Sequence, residues 1–206
     1  MIEVIDNTYQ LEDLTVLIKD IFLAHSNVSK VYDRFKVKFK NINIVFINPN
    51  LIFGLDHIFG IIKIIKENSK REEKRMIKNP DIEFLLRICY TNQISLAFEK
   101  LGYNKSFDNN RTRFIYILFS RYSTDIQKAS DYIEGHKIIE QEEKEKEKAR
   151  KREEKSFLLE MSENKKKYIL KVLFNKEFKD VQDLFFVKDN VKFQKFLIER
   201  AATALR

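Results

Sequence analysis

Only two prolines interrupt this chain of 206 residues, and each stands just ahead of a run whose apolar residues recur at helical spacing. Pro49 precedes NLIFGLDHIFGIIKIIK, and Pro80 precedes DIEFLLRICYTNQISLAFEKLG. Proline suits the first turn of a helix, where its missing N–H has no partner to lose, and breaks the middle of one. The stretch Ile47–Gly102 therefore reads as the end of a strand followed by a helical platform that Gly102 closes. Glycine is nearly as scarce, with four in the chain, which disfavours a loop-rich all-β fold and any glycine-cradled nucleotide site.

The rest of the chain supplies strands and further helices. An opening arm, MIEVIDNTYQLED, leads to Leu14–Phe22, whose apolar spacing also tolerates a helix but whose β-branched residues favour a strand, the reading taken. Asn27 stands as an N-cap before a helix that places Val28, Val31, Tyr32 and Phe35 on one side. Asn43–Ile47 (NIVFI) reads as a buried strand and Arg113–Phe119 (RFIYILF) as the clearest strand of all. Ser123 or Thr124 then caps a short helix, DIQKASDYI. Within the platform Pro49 opens the first helix, and Gly54 and Gly60 lie inside it, where close packing would offset their cost. Pro80 opens a second helix with Ile82, Leu85, Leu86 and Cys89 or Tyr90 inward. A third, capped by Thr91 or Asn92, carries Ile94, Leu96, Ala97 and Leu101. From Asp189 a terminal helix places Val191, Phe193, Phe196, Leu197, Ala201 and Leu205 along a broad apolar side. The expected architecture is α+β, a small mixed β-sheet packed with a predominantly helical platform and C-terminal helices. It forms one domain over residues 1–206, with a charged helical insertion at about 137–156.

That insertion is nearly neutral, because residues 137–155 hold eight basic and seven acidic side chains, and glutamate and lysine three and four apart support an exposed helix. The net charge of +8 is therefore carried elsewhere, and the connector KENSKREEKRMIK is its densest source. A basic surface favours anionic partners, nucleic acid first among them. Cys89, the one cysteine, cannot form an internal disulfide and lies in an apolar pattern, which fits a small core residue in a reducing compartment. No apolar run reaches the roughly 18 residues of a membrane span, and no signal-like leader opens the chain. A cytoplasmic protein is expected. His25, His57 and His136 lack the spacings of a metal site, and no phosphate loop, nucleophile elbow or kinase signature appears. The reading is therefore no enzyme, no catalytic residue, no metal and no cofactor.

The order of these motifs resembles a family. A strand ending INP, a helix centred on His57 and Ile58, a helix ending LLRICYTNQISLAFEKLG and then the strand RFIYILF are similar to the PRPK-binding proteins. These are the regulatory subunit of the KEOPS complex, with animal, archaeal and fungal members. Glu83, Leu85, Leu86, Gln93, Ile94, Ala97 and Gly102 carry the most specific part of the likeness. EGHKI at Glu134–Ile138 and ERAA at Glu199–Ala202 add to it, and the likeness runs from about Leu14 to the C-terminus. Two departures are the long charged insertion and Ile61, Ile62 and Ile64 where alanines are common.

The resemblance implies a noncatalytic protein that binds the complex's small kinase/ATPase. It would help recruit tRNA, by its single-stranded 3′ CCA end, for threonylcarbamoylation of adenosine 37. Neither a membrane nor a small-molecule substrate of its own is implied. Stacking surfaces beside cations suit such an RNA end, and the platform offers Phe53, His57 and Phe59 near Lys63, Lys66, Lys70, Arg71, Lys74 and Arg75. For the kinase, Ile58, Ile62, Phe193, Phe196, Leu197 and Leu205 would form an apolar patch. The alternative is a nucleic-acid-binding regulator that uses Pro80–Gly102 as a helix-turn-helix, although its second helix offers only Lys100.

Overall fold

A computed structural model describes residues 4–5, 7–70, 77–101, 111–138, 161–176, 178–181 and 184–205. The chain divides into two compact units, Met1–Ile47 with Lys105–Phe157 and Asn48–Asn104 with Leu158–Arg206. The two units therefore alternate along the chain, each built from two separate segments. Most of the charged insertion lies outside the described residues.

The first unit is built on a five-stranded sheet. Its strands are β1 (Val4–Ile5), β2 (Thr8–Leu11), β3 (Leu14–Ala24), β4 (Asn43–Ile47) and β5 (Arg111–Ser120). The opening arm is therefore part of the sheet. Asn7 and Glu12, at φ of 62° and 57°, turn the chain between its first strands, and asparagine tolerates that left-handed region better than most residues. Strand order is β1-β2-β3-β5-β4, and every pairing among the described strands is antiparallel. The mixed sheet expected from a strand, helix, strand start does not form. β3 and β4 run parallel to one another, but β5 lies between them and opposes both.

Helices α1 (His25–Lys38) and α5 (Ser123–Ile138) belong to this unit and pack on β3 and on each other. Asn27 lies inside α1, which starts two residues upstream of the expected cap, and α5 runs well past the short helix read from the sequence. Lys19 of β3 and Tyr116 of β5 are register partners, so both project toward the α5 side of the sheet. Lys19 Nζ donates to Ser130 Oγ (3.1 Å) and pairs with Glu134 (3.0 Å), while Tyr116 Oη lies 3.0 Å from Ser130 Oγ. Burial pushes the Tyr116 phenol well above its ordinary range, and the serine hydroxyl satisfies it there.

The second unit is helical. A 3₁₀ turn at Pro49–Leu51 leads through Gly54 to α2 (Leu55–Ser69), followed by α3 (Pro80–Ile88) and α4 (Ile94–Leu101). After the described residues resume at 161 come α6 (Glu163–Phe174), two single turns α7 (Phe178–Val181) and α8 (Phe185–Lys188), and α9 (Asn190–Thr203). Pro49 thus opens the short turn instead of α2. Gly54, with φ of 81°, is the N-cap of α2 and not one of its interior residues. Pro80 opens α3 as expected, behind an Asn79 side chain that accepts from Asp81 N–H. Asp189 caps α9 by accepting from Lys192 N–H at 2.9 Å. That bond first, and the neighbouring lysines less, hold the Asp189 carboxyl below the usual range.

Helix α9 packs against α2, α3 and α8. Close approach to α2 is possible because Gly60 faces Ile198, whose side chain lies 2.8 Å from where a Cβ would stand. The packing role expected of this glycine is met by a side chain on the facing helix.

Candidate interaction surfaces of the helical unit

Polar and aromatic groups converge around the loop that precedes α2. Phe53 N–H donates to His57 Nδ1 (3.4 Å), and Phe53 C=O accepts from Gln194 Nε2 of α9 (2.9 Å). The other His57 nitrogen, Nε2, lies 3.1 Å from Tyr90 Oη. His57 is wholly buried, and desolvation lowers its pKa to about 3, so the ring is neutral and its Nδ1 is an acceptor. Tyr90 follows α3 with φ of 51°, an unusual value for a bulky side chain. It is held by this hydrogen bond and by its ring stacked on Phe174 at 4.8 Å. Burial, most of all, raises the Tyr90 phenol far above its ordinary value.

From Phe174 an aromatic row continues through Phe196 (5.5 Å) to Phe186 (4.4 Å) and Phe193 (6.2 Å), and Phe193 meets Phe53 edge to face at 4.9 Å. Such pairs add about 0.5–1.5 kcal/mol each beyond burial. Lys166 enters the same cluster. Its ammonium lies 5.9 Å and 5.7 Å from the Phe53 and Phe193 rings and donates to Val187 C=O at 2.6 Å. Burial lowers its pKa, with Asp189 and Glu163 opposing.

A second polar focus ties α3 to the end of α9. Glu83 and Arg87, one helical turn apart and both buried, pair at 2.9 Å. Arg87 also donates to Ala201 C=O at 2.7 Å and, at 3.4 Å, to Ala202 C=O. A guanidinium thus satisfies carbonyls that the helix end leaves open. Asn68 Nδ2 of α2 donates to the same Glu83 oxygen at 3.0 Å.

These contacts relocate the residues singled out from sequence. Phe53, His57 and Phe59 are buried and offer no ring to an RNA base. The reason is that α2 packs on both α3 and α9, so its inward side includes Ile58, Ile61, Ile62 and Ile65 as well. Among the intended kinase anchors, Ile58, Ile62, Phe193, Leu197 and Leu205 are buried and Phe196 is half-buried. They form the core of the unit and not an open patch. Lys63 and Lys70 are exposed and Lys66 is half-buried, and their spacing sets them along one side of α2. Lys70 pairs with Glu67 at 2.7 Å. Arg71, Lys74 and Arg75 lie outside the described residues.

Cys89 is buried, and its thiol is pushed up to about 12, chiefly by desolvation. The helix-turn-helix reading loses its only cation, because Lys100 donates to Cys89 C=O and Leu173 C=O. What α4 presents instead is Ile94, 49% exposed, with Ser95 and Glu99. Among the described residues no cluster of His, Cys, Asp and Glu could hold a metal ion, and no helix is long and apolar enough to cross a membrane.

Sequence reasoning missed Arg87, Lys166 and Gln194, and gave Tyr90 only as one of two inward candidates. The Glu83–Arg87 spacing was a visible signal, whereas a lysine buried inside an NKKKY run was not. Fold and contacts together define an α+β protein whose helical unit spends its internal polar groups on its own packing. The family described as kinase binding protein CGI-121 matches residues 18–184. The chain belongs to that family, the same one that its order of motifs resembles. A comparison with curated proteins gives no match.

Proposed function

We propose that this chain is the noncatalytic subunit of a KEOPS-type complex in the cytoplasm. It binds and regulates the small kinase/ATPase and helps recruit tRNA, through the 3′ CCA end, for N6-threonylcarbamoyladenosine formation at position 37. The observation that carries the reading is membership of a kinase-binding family over most of the chain. The buried thiol and the neutral, enclosed His57 are consistent with a protein that recruits and does no chemistry.

The kinase contact is assigned to the same two helices that the sequence favoured, α2 and α9, but to their outward residues. Ile64 of α2 is half-buried and can give apolar area to a partner, while Ile198 of α9, also half-buried, lies against Gly60 and backs that contact. Lys63, Lys66 and Lys70 are assigned to RNA phosphates.

The test is co-purification of the full chain with the complex's kinase, followed by titration calorimetry. Binding at micromolar affinity or better is expected, and Ile64→Asp, checked for native circular dichroism, should weaken it about tenfold, or about 1.4 kcal/mol. No binding at micromolar concentration overturns the reading. Loss of binding to tRNA shortened by its CCA end, with kinase binding retained, is the outcome expected for the RNA part.

A further inference from the structure

Burial of Phe53, His57 and Phe59 leaves open which side chain of the helical unit could stack on an unpaired base. Among its described residues, Tyr168 on α6 is the aromatic side chain most open to solvent, at 36%. Lys167 is adjacent, Lys171 lies one turn on and Asn164 one turn back, and all three are exposed. Helical geometry brings residues three and four apart onto one side, so ring, amide and two ammonium groups share one surface.

The ring is also fixed in place. Tyr168 Oη accepts from Asn48 Nδ2 at 3.3 Å, and Asn48 Oδ1 in turn accepts from Asn50 N–H at 3.0 Å. Burial raises the phenol's pKa, so it carries no negative charge against a phosphate. Lys167 pairs with Glu163 at 3.2 Å and lies 5.1 Å from the Phe178 ring. Both partners of the ion pair are half or more exposed, and such pairs are weak enough for a phosphate to displace.

We infer that the α6 face made by Asn164, Lys167, Tyr168 and Lys171 is a stacking platform for a single-stranded RNA end, with one base on the tyrosine ring and flanking phosphates on the lysines. The inference rests on the RNA part of the proposed function and supplies the ring which that part lacks. Unpaired bases present an open face that a side-chain ring can cover, whereas a duplex has already stacked its own. An acidic peptide would use the lysines and gain little from the ring.

Fluorescence anisotropy with a labelled single-stranded RNA octamer ending in CCA tests it, beside a duplex of the same sequence and the full-length protein. Tyr168→Ala should weaken octamer binding about tenfold, Tyr168→Phe should leave it within about twofold, and Lys167→Glu with Lys171→Glu should weaken it and flatten its salt dependence. Unchanged binding by Tyr168→Ala, or equal duplex binding that ignores Tyr168, overturns the platform while leaving RNA recruitment standing. Absence of any RNA binding by the native protein overturns both, and the kinase titration stays independent of either result.

Discussion

Lowering the pH should destabilise the helical unit through His57, and the size of the effect follows from its burial. The folded protein holds the imidazole neutral down to about pH 3, while in the unfolded chain the same group takes a proton near its ordinary value of 6.5. Between those two values the unfolded state binds one more proton, so stability falls as pH drops below 6.5 and is fully present above it. Each pH unit inside that window is worth about 1.4 kcal/mol. From pH 7 to pH 5, where most carboxylates remain ionised, His57 should therefore cost about 2 kcal/mol. Urea unfolding followed by circular dichroism at a series of pH values measures the slope, and His57→Gln supplies the reference. The variant will be less stable at pH 7, since Phe53 N–H and Tyr90 Oη lose their partner, but its curve should be flatter by that amount. Parallel curves for the two proteins would refute the reasoning and return His57 to the surface, where RNA could reach it.

Arg87→Met should cost about 3–5 kcal/mol, because it leaves the buried Glu83 carboxylate without its guanidinium; adding Glu83→Gln should recover part of the loss in a double-mutant cycle of urea midpoints. Gly60→Val should destabilise by about 1–3 kcal/mol through overpacking against Ile198, and Ile198→Ala should relieve part of that cost in the thermal melt of the double variant. Gly54→Ala forces a side chain into a φ of 81° and against the Gln194 amide, 2.6 Å from the new Cβ. A loss of about 1–3 kcal/mol in unfolding free energy is expected.

Strands β3, β4 and β5 were legible because their runs are rich in β-branched and aromatic residues, although β3 continues past Phe22 to Ala24 and passes directly into α1. Helix α9 was legible because Asp189, Phe193, Leu197 and Ala201 follow one period and one cap. The antiparallel pairing was not, since nothing local in Asn43–Ile47 announces that a strand more than sixty residues later will lie beside it. Gly54 was misplaced for a similar reason. Its spacing from Gly60 suits a helix, but only tertiary contacts with Gln194 and His57 fix the extended loop that precedes α2. Choosing apolar and aromatic residues for partner contacts failed where those residues were needed for the core. A residue such as Phe59 that satisfies a helical pattern on a much-packed helix is spent internally, and outward residues such as Ile64 and Tyr168 carry a weaker signal in sequence.

The central place of β5 has a consequence for how the chain is made. Leu14–Ala24 and Asn43–Ile47 leave the ribosome long before Arg111–Ser120, the strand to which both are bonded. At roughly 5–20 residues per second, the nascent protein spends on the order of 4–15 s with those apolar strands synthesised and their shared neighbour still missing. Closing the sheet then means bringing together ends separated by the whole of Asn48–Asn104, which makes late, non-local pairing the slow step. Translation speed through that interval, and whatever shields Leu14–Ala24 during it, should govern how much protein reaches the native state.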